Sequence, residues 1–73
     1  MIYTNYDVHV GYILVDYNNR YIITEITECN NLNGIYENTR ESVVIGPMSC
    51  VLGLLNDDTW QIEKGKEVYY EIY

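Results

Sequence analysis

The stretch YILVDYNNRYIITEITE, residues 12–28, decides the fold class. Two runs rich in Ile, Val, Thr and Tyr flank the pair Asn18-Asn19. Such side chains favour pleated, half-buried surfaces. Asparagine tolerates positive φ, so a two-residue Asn-Asn loop predicts a type I′ hairpin. In that register Val15 opposes Ile22, Ile13 opposes Thr24 and Gly11 opposes Ile26. One face then holds Ile13, Val15, Ile22 and Ile26, and is the expected core face. The other holds Tyr12, Leu14, Asp16, Tyr21, Ile23 and Glu25, and is expected to touch another strand or a partner.

Outward from the hairpin, little of the sequence has helical periodicity, and alanine is absent. Residues Cys29 to Arg40 read as a loop, since Asn30-Asn31-Leu32-Asn33-Gly34 is dense in turn formers, with Ile35-Tyr36 as a brief strand or an anchor. Glu41 to Ile45 reads as a strand that Gly46-Pro47 ends or confines to a sheet edge, because proline cannot donate to a ladder. In Met48 to Asn56, the residues Met48, Val51, Leu52, Leu54 and Leu55 suit a short helical turn as well as a buried strand, and Gly53 costs a helix about 1 kcal/mol; the helical turn is the favoured of the two. Last comes a hairpin, Thr59 to Glu63 and Lys66 to Tyr73, with Gly65 in its three-residue loop. Trp60 is in phase with Ile62, Val68, Tyr70 and Ile72, and is a core anchor.

These elements predict one domain over residues 1–73 that is mainly β. A meander this short buries a core only by curling. The expected architecture is a small, strongly bent antiparallel sheet or a partly open SH3-like barrel, with at most one helical turn.

The composition narrows the function. The chain has 73 residues and a net charge of -7, eleven carboxylates against four basic side chains. Phosphate contacts come from Lys and Arg, so direct nucleic-acid binding and anionic membranes are disfavoured. The same charge also keeps small domains apart in solution. Nine Tyr with no Phe cannot all lie deep, because a buried hydroxyl needs an acceptor. Residues Met1 to Asp7 have no basic and apolar leader pattern, and Met48 to Leu55 is too short to span a membrane. The expected location is the cytoplasm, with Cys29 and Cys50 as reduced thiols.

Catalytic and metal signals are weak. A nucleophile needs a positioned base. His9 is the sole histidine, and the sequence brings no Cys29, Cys50, Ser42 or Ser49 to it. One histidine and two distant cysteines make no zinc site. Asn56-Asp57-Asp58 lacks the alternate spacing and terminal Glu of a calcium loop. Among Glu25, Glu28, Glu67 and Glu71 a pair could meet across a sheet, but nothing fixes its separation. The reading is a non-enzyme with no cofactor and no metal.

The feature with most functional content is a set of carboxylates interleaved with tyrosines. Tyr12, Asp16, Tyr21 and Glu25 share the non-core face of the first hairpin, and Glu67, Tyr69, Glu71 and Tyr73 share one side of the last strand. Carboxylates pair with Arg and Lys, and rings stack on guanidinium planes. The expected partner is therefore a protein with a basic, nucleic-acid-handling surface. The load of Asn, Ile and Tyr fits an AT-rich genome, as in phages of low-GC bacteria, where small acidic proteins often inhibit host defence. Two alternatives stand beside this. One is a structural or regulatory β-module that self-associates through an open strand edge, which makes a homo-oligomer the expected state. The other is a binder of a small nucleotide signal with Tyr and Trp60 as stacking platforms.

Overall fold

A computed structural model describes residues 2–65. Five strands form one antiparallel sheet: β1 Ile13–Val15, β2 Arg20–Ile26, β3 Asn31–Tyr36, β4 Ser42–Pro47 and β5 Gln61–Glu63. Their spatial order is β4-β3-β2-β1-β5. Among the described residues one α-helix, α1, spans Met48–Asn56, and a 3-10 turn covers Asn5–Asp7. Among the described residues β4 and β5 are unjoined edges, so the sheet is open and forms no closed barrel.

The hairpin is present, but its turn and its inner face both differ from the expectation. The ladder runs Ile13↔Ile22, Leu14↔Tyr21 and Val15↔Arg20. Asp16 N–H then donates to Asn19 O at 3.0 Å, so the loop is Tyr17-Asn18 rather than Asn18-Asn19. Neither asparagine takes positive φ. The cause is Asp16, whose Oδ1 accepts the N–H groups of Asn18 at 2.9 Å and Asn19 at 2.8 Å. An aspartate that captures the next backbone donors closes a turn by itself.

The register moves by two residues, which leaves the facing sets unchanged. The polarity of those sets is nonetheless reversed. Leu14, Tyr21 and Ile23 are buried in the core, joined there by Val8, Leu32, Met48, Val51 and Leu55. Tyr12 packs against the same cluster. Ile13, Val15 and Ile22 lie on the opposite face. The expected partner face is thus the inner one, because its tyrosine finds an acceptor and α1 supplies apolar cover. Ile26 is the exception, since it also packs inward.

A β-bulge explains the exception. The β2–β3 register slips between Ile23↔Gly34 and Glu25↔Asn33, which makes Thr24 an extra residue. Beyond it the alternation is rephased, so Ile23 and Ile26 both face the core while Glu25 faces out. The β3–β4 register slips at nearly the same level, between Leu32↔Gly46 and Asn33↔Val44, with Ile45 as the extra residue. The two strands that flank β3 each gain a residue opposite one stretch of it, which bends the sheet there.

β3 occupies what the sequence reads as a loop. Leu32 is fully buried and Gly34 is buried between its neighbours. A Cβ on Gly34 would collide with the carbonyl oxygen of Ile22 and lie 2.9 Å from Ile45 Cδ1. The glycine is therefore a packing requirement rather than a turn signal. β4 runs through Gly46-Pro47 and lies at an edge, where a missing N–H leaves no broken pair. The helix runs for nine residues, longer than the single turn expected, because Met48, Val51 and Leu55 on successive turns are all buried; Asp57 N–H caps its end on Gly53 O at 3.1 Å.

β5 pairs with β1, through Ile13↔Glu63, Leu14↔Ile62 and Val15↔Gln61. The expected second half of its hairpin, Lys66 to Tyr73, lies outside the described residues. Trp60 is half-buried and packs against the core with Ile62, its ring stacked on Tyr21 at 5.7 Å between centroids.

Two glycines give opposite expectations. Gly34→Ala should destabilise by at least about 2 kcal/mol, since it drives a side chain into backbone. Gly53 lies exposed in α1, and no atom comes within 4 Å of the place a methyl group would take there. Gly53→Ala should therefore stabilise by about 0.5–1 kcal/mol. Urea unfolding of both variants checks the pair; a neutral Gly34→Ala would show that β2 and β3 do not approach as described.

Candidate functional site

Two connections meet at one end of the sheet because β5 pairs beside β1. The β1–β2 turn brings Asp16 and Tyr17, and the α1–β5 connection brings Asp58 and Thr59. With Val15 and Gln61 they line a shallow open pocket of about 500 Å³. Tyr17 stands at the turn with 94% of its surface exposed. Asp58 takes φ 66°, a left-handed conformation that aspartate tolerates better than most residues. It is exposed, as is its neighbour Asp57.

The two carboxylates across the pocket differ in freedom. Asp16 is engaged on both oxygens: Oδ1 holds the turn, and Oδ2 accepts the Tyr21 hydroxyl at 2.8 Å. Partial burial pushes its carboxyl upward, but the hydrogen bonds from Tyr21, Asn18 and Asn19 prevail and hold it below the ordinary value of 3.8. Asp57 is held low by the hydroxyl and N–H of Thr59, the latter donating to Oδ1 at 2.9 Å. Among the described residues Asp58 enters no side-chain hydrogen bond or ion pair, so its charge is available to a ligand. A carboxylate beside an exposed ring can receive a guanidinium or ammonium group.

On the outer face Arg20 acts as a clamp. Its Nε donates to Glu37 Oε1 at 2.6 Å, and its two terminal nitrogens donate to the carboxylate of Glu63 at 3.1 and 2.8 Å. One cation thus ties the end of β3 to β5 across β2 and β1. The pairing holds the Glu63 carboxyl below its ordinary value.

The fold scatters the residues singled out from sequence. Tyr21 is a core residue. Tyr12 is half-buried, with its ring edge-on to His9 at 5.1 Å. Asp16 borders the pocket but serves the fold. Glu25 is exposed on the outer face, where its Oε1 accepts from Asn33 Nδ2 at 3.0 Å. Glu67, Tyr69, Glu71 and Tyr73 lie outside the described residues. Cys29 and Cys50 are exposed free thiols. Tyr17 is absent from the residues that the sequence points to, and Asp58 enters there only within the rejected calcium loop, because the β1–β5 pairing that joins them has no local signal. Their one available signal was the polar, turn-forming character of both segments. The chain matches no protein-family model, no curated protein and no solved structure. Among the described residues no helix is long and apolar enough to cross a membrane.

Burial, and then the Asp16 hydrogen bond, push the Tyr21 phenol up to about 12 from an ordinary 10.0. The folded value lies above the unfolded one, so this stabilisation is complete below pH 10.0 and is lost as pH rises through about 12. A Tyr21-selective carbon-13 NMR titration should therefore show the Cζ resonance still unshifted after exposed tyrosines have titrated. Asp16→Asn should lower that midpoint; an unchanged midpoint would remove Asp16 from the account.

Proposed function

We propose that this chain is a non-enzymatic acidic binding protein that occupies a basic surface of another protein, one that handles nucleic acid. On this reading it acts in the cytoplasm as a phage-type inhibitor of a host defence system. The observation that carries the reading is charge left uncompensated by the fold. Eleven carboxylates face four basic side chains, and the ion pairs among the described residues all fall on Arg20. Asp7, Glu25, Glu28, Glu41, Asp57 and Asp58 have no cation partner among the described residues. A surface of one sign attracts a partner of the other and repels polyanions. The pocket with Tyr17 and Asp58 adds a place where an Arg or Lys of such a partner can stack and pair.

The test uses proteins that a DNA-cellulose column retains from a lysate of a low-GC bacterium. Immobilised chain should capture one or a few of them at about 50 mM salt and release them near 500 mM, because screening removes attraction between exposed charges. Duplex DNA should compete for the same surface. Capture that ignores both salt and DNA would overturn the reading. The double variant Tyr17→Ala, Asp58→Asn should lose about tenfold or more in affinity, while its melting temperature stays within a few degrees because neither side chain is buried.

A further inference from the structure

The free edge of β4 carries the elements of a strand-docking site. Tyr36 N–H donates to Glu41 O at 2.9 Å, and the β3–β4 register pairs Ile35 with Ser42 and Gly34 with Val43. Exchanging pairs alternate in an antiparallel ladder, so Glu41 and Val43 bond to β3. The N–H and C=O groups of Ser42 and Val44 therefore point away from β3, and among the described residues no strand lies beyond them. Pro47 and the extra residue Ile45 guard the far end of this edge, as is usual for exposed strands. The Ser42–Val44 span has no such guard. Val44 is 77% exposed, and no other strand residue among those described exposes so large an apolar side chain.

A shallow groove of about 430 Å³ opens on the outer face beside this edge. Thr24, Glu25, Asn33, Gly34 and Val44 are among the residues that line it. It sits where the two bulges bend the sheet. Glu25 is its one charged wall, and the Asn33 amide holds that carboxylate in place.

We propose that the β4 edge takes an extended segment of a basic protein by strand addition, with a Lys or Arg of that segment lying across Val44 toward Glu25. This rests on the reading above that the partner is basic, and it names where and how that partner binds. Main-chain bonds to Ser42 and Val44 supply affinity, and alternate side chains supply specificity. A long basic side chain suits the groove because its methylene stem covers apolar surface while its head keeps a charge partner. Charge selects the occupant: a second copy would bring its own net charge of -7 to an acidic surface, whereas a basic segment is attracted.

The experiment compares wild type with Val44→Pro, Val44→Lys and Glu25→Gln, using as probe the protein captured from the DNA-cellulose fraction. Val44→Pro deletes an N–H that β3 does not use, and Val44→Lys places a like charge against a basic segment while keeping the backbone. Both should lower affinity by about tenfold or more, and Glu25→Gln should lower it severalfold and flatten its salt dependence. Hydrogen exchange should find the Ser42 and Val44 amides fast in the free chain and slowed in the complex. If Val44→Lys binds like wild type while the Tyr17, Asp58 double variant does not, the edge is unused and only this inference fails. Slow Ser42 and Val44 amides in the free chain would also overturn it, since its own residues or a second copy would then cover the edge. If wild type captures nothing, the acidic-binder reading fails and this inference with it.

Discussion

A tyrosine ring that enters a core has to bring its hydroxyl to an acceptor, and in this chain that acceptor is Asp16. The Tyr21 hydroxyl reaches Asp16 Oδ2 at 2.8 Å, while the other oxygen of the same carboxylate ties the backbone of Asn18 and Asn19. One side chain thereby closes the β1–β2 turn, fixes the register at Val15↔Arg20 and makes burial of Tyr21 affordable. With Tyr21 inside, Leu14 and Ile23 follow onto the same face by alternation, and Trp60 and Tyr36 pack against its ring. The helix then has an apolar surface to cover.

Much of the fold class was legible, and the failures have specific causes. The presence of the hairpin and the edge position of the strand that ends in Pro47 follow from local propensity and spacing, whereas the apolar spacing of Met48–Asn56 suits a helix and a buried strand alike. The inner face did not, because polarity was judged residue by residue. Asp16 and Tyr21 each look like surface groups alone and become core-compatible only as a bonded pair. β3 was hidden by asparagines that stand at its outer positions and by a glycine whose reason is close packing. Its period-2 set of Leu32, Gly34 and Tyr36 was there to be read.

The candidate site was less legible than the fold. Strict alternation puts Glu25 and Asp16 on one face, which a bulge divides between inside and outside. The pocket joins residues more than forty positions apart through β1–β5 pairing, and no local pattern in the sequence announces that pairing. Charge was the one functional signal that needed no geometry. It is a property of the whole chain, and so it marks no place on the fold.

The extra residue in β2 has a consequence for how this chain can change length. In a regular strand, losing one residue turns every later side chain to the opposite face. Thr24 is different, because the alternation already resumes after it: Ile23 inward, Glu25 outward, Ile26 inward. Its side chain is exposed and gives one hydrogen bond to Asn33 O at 3.3 Å. A lineage could therefore drop this codon, relax the bend on the β2 side and keep the inward set of β2, reshaping the outer groove.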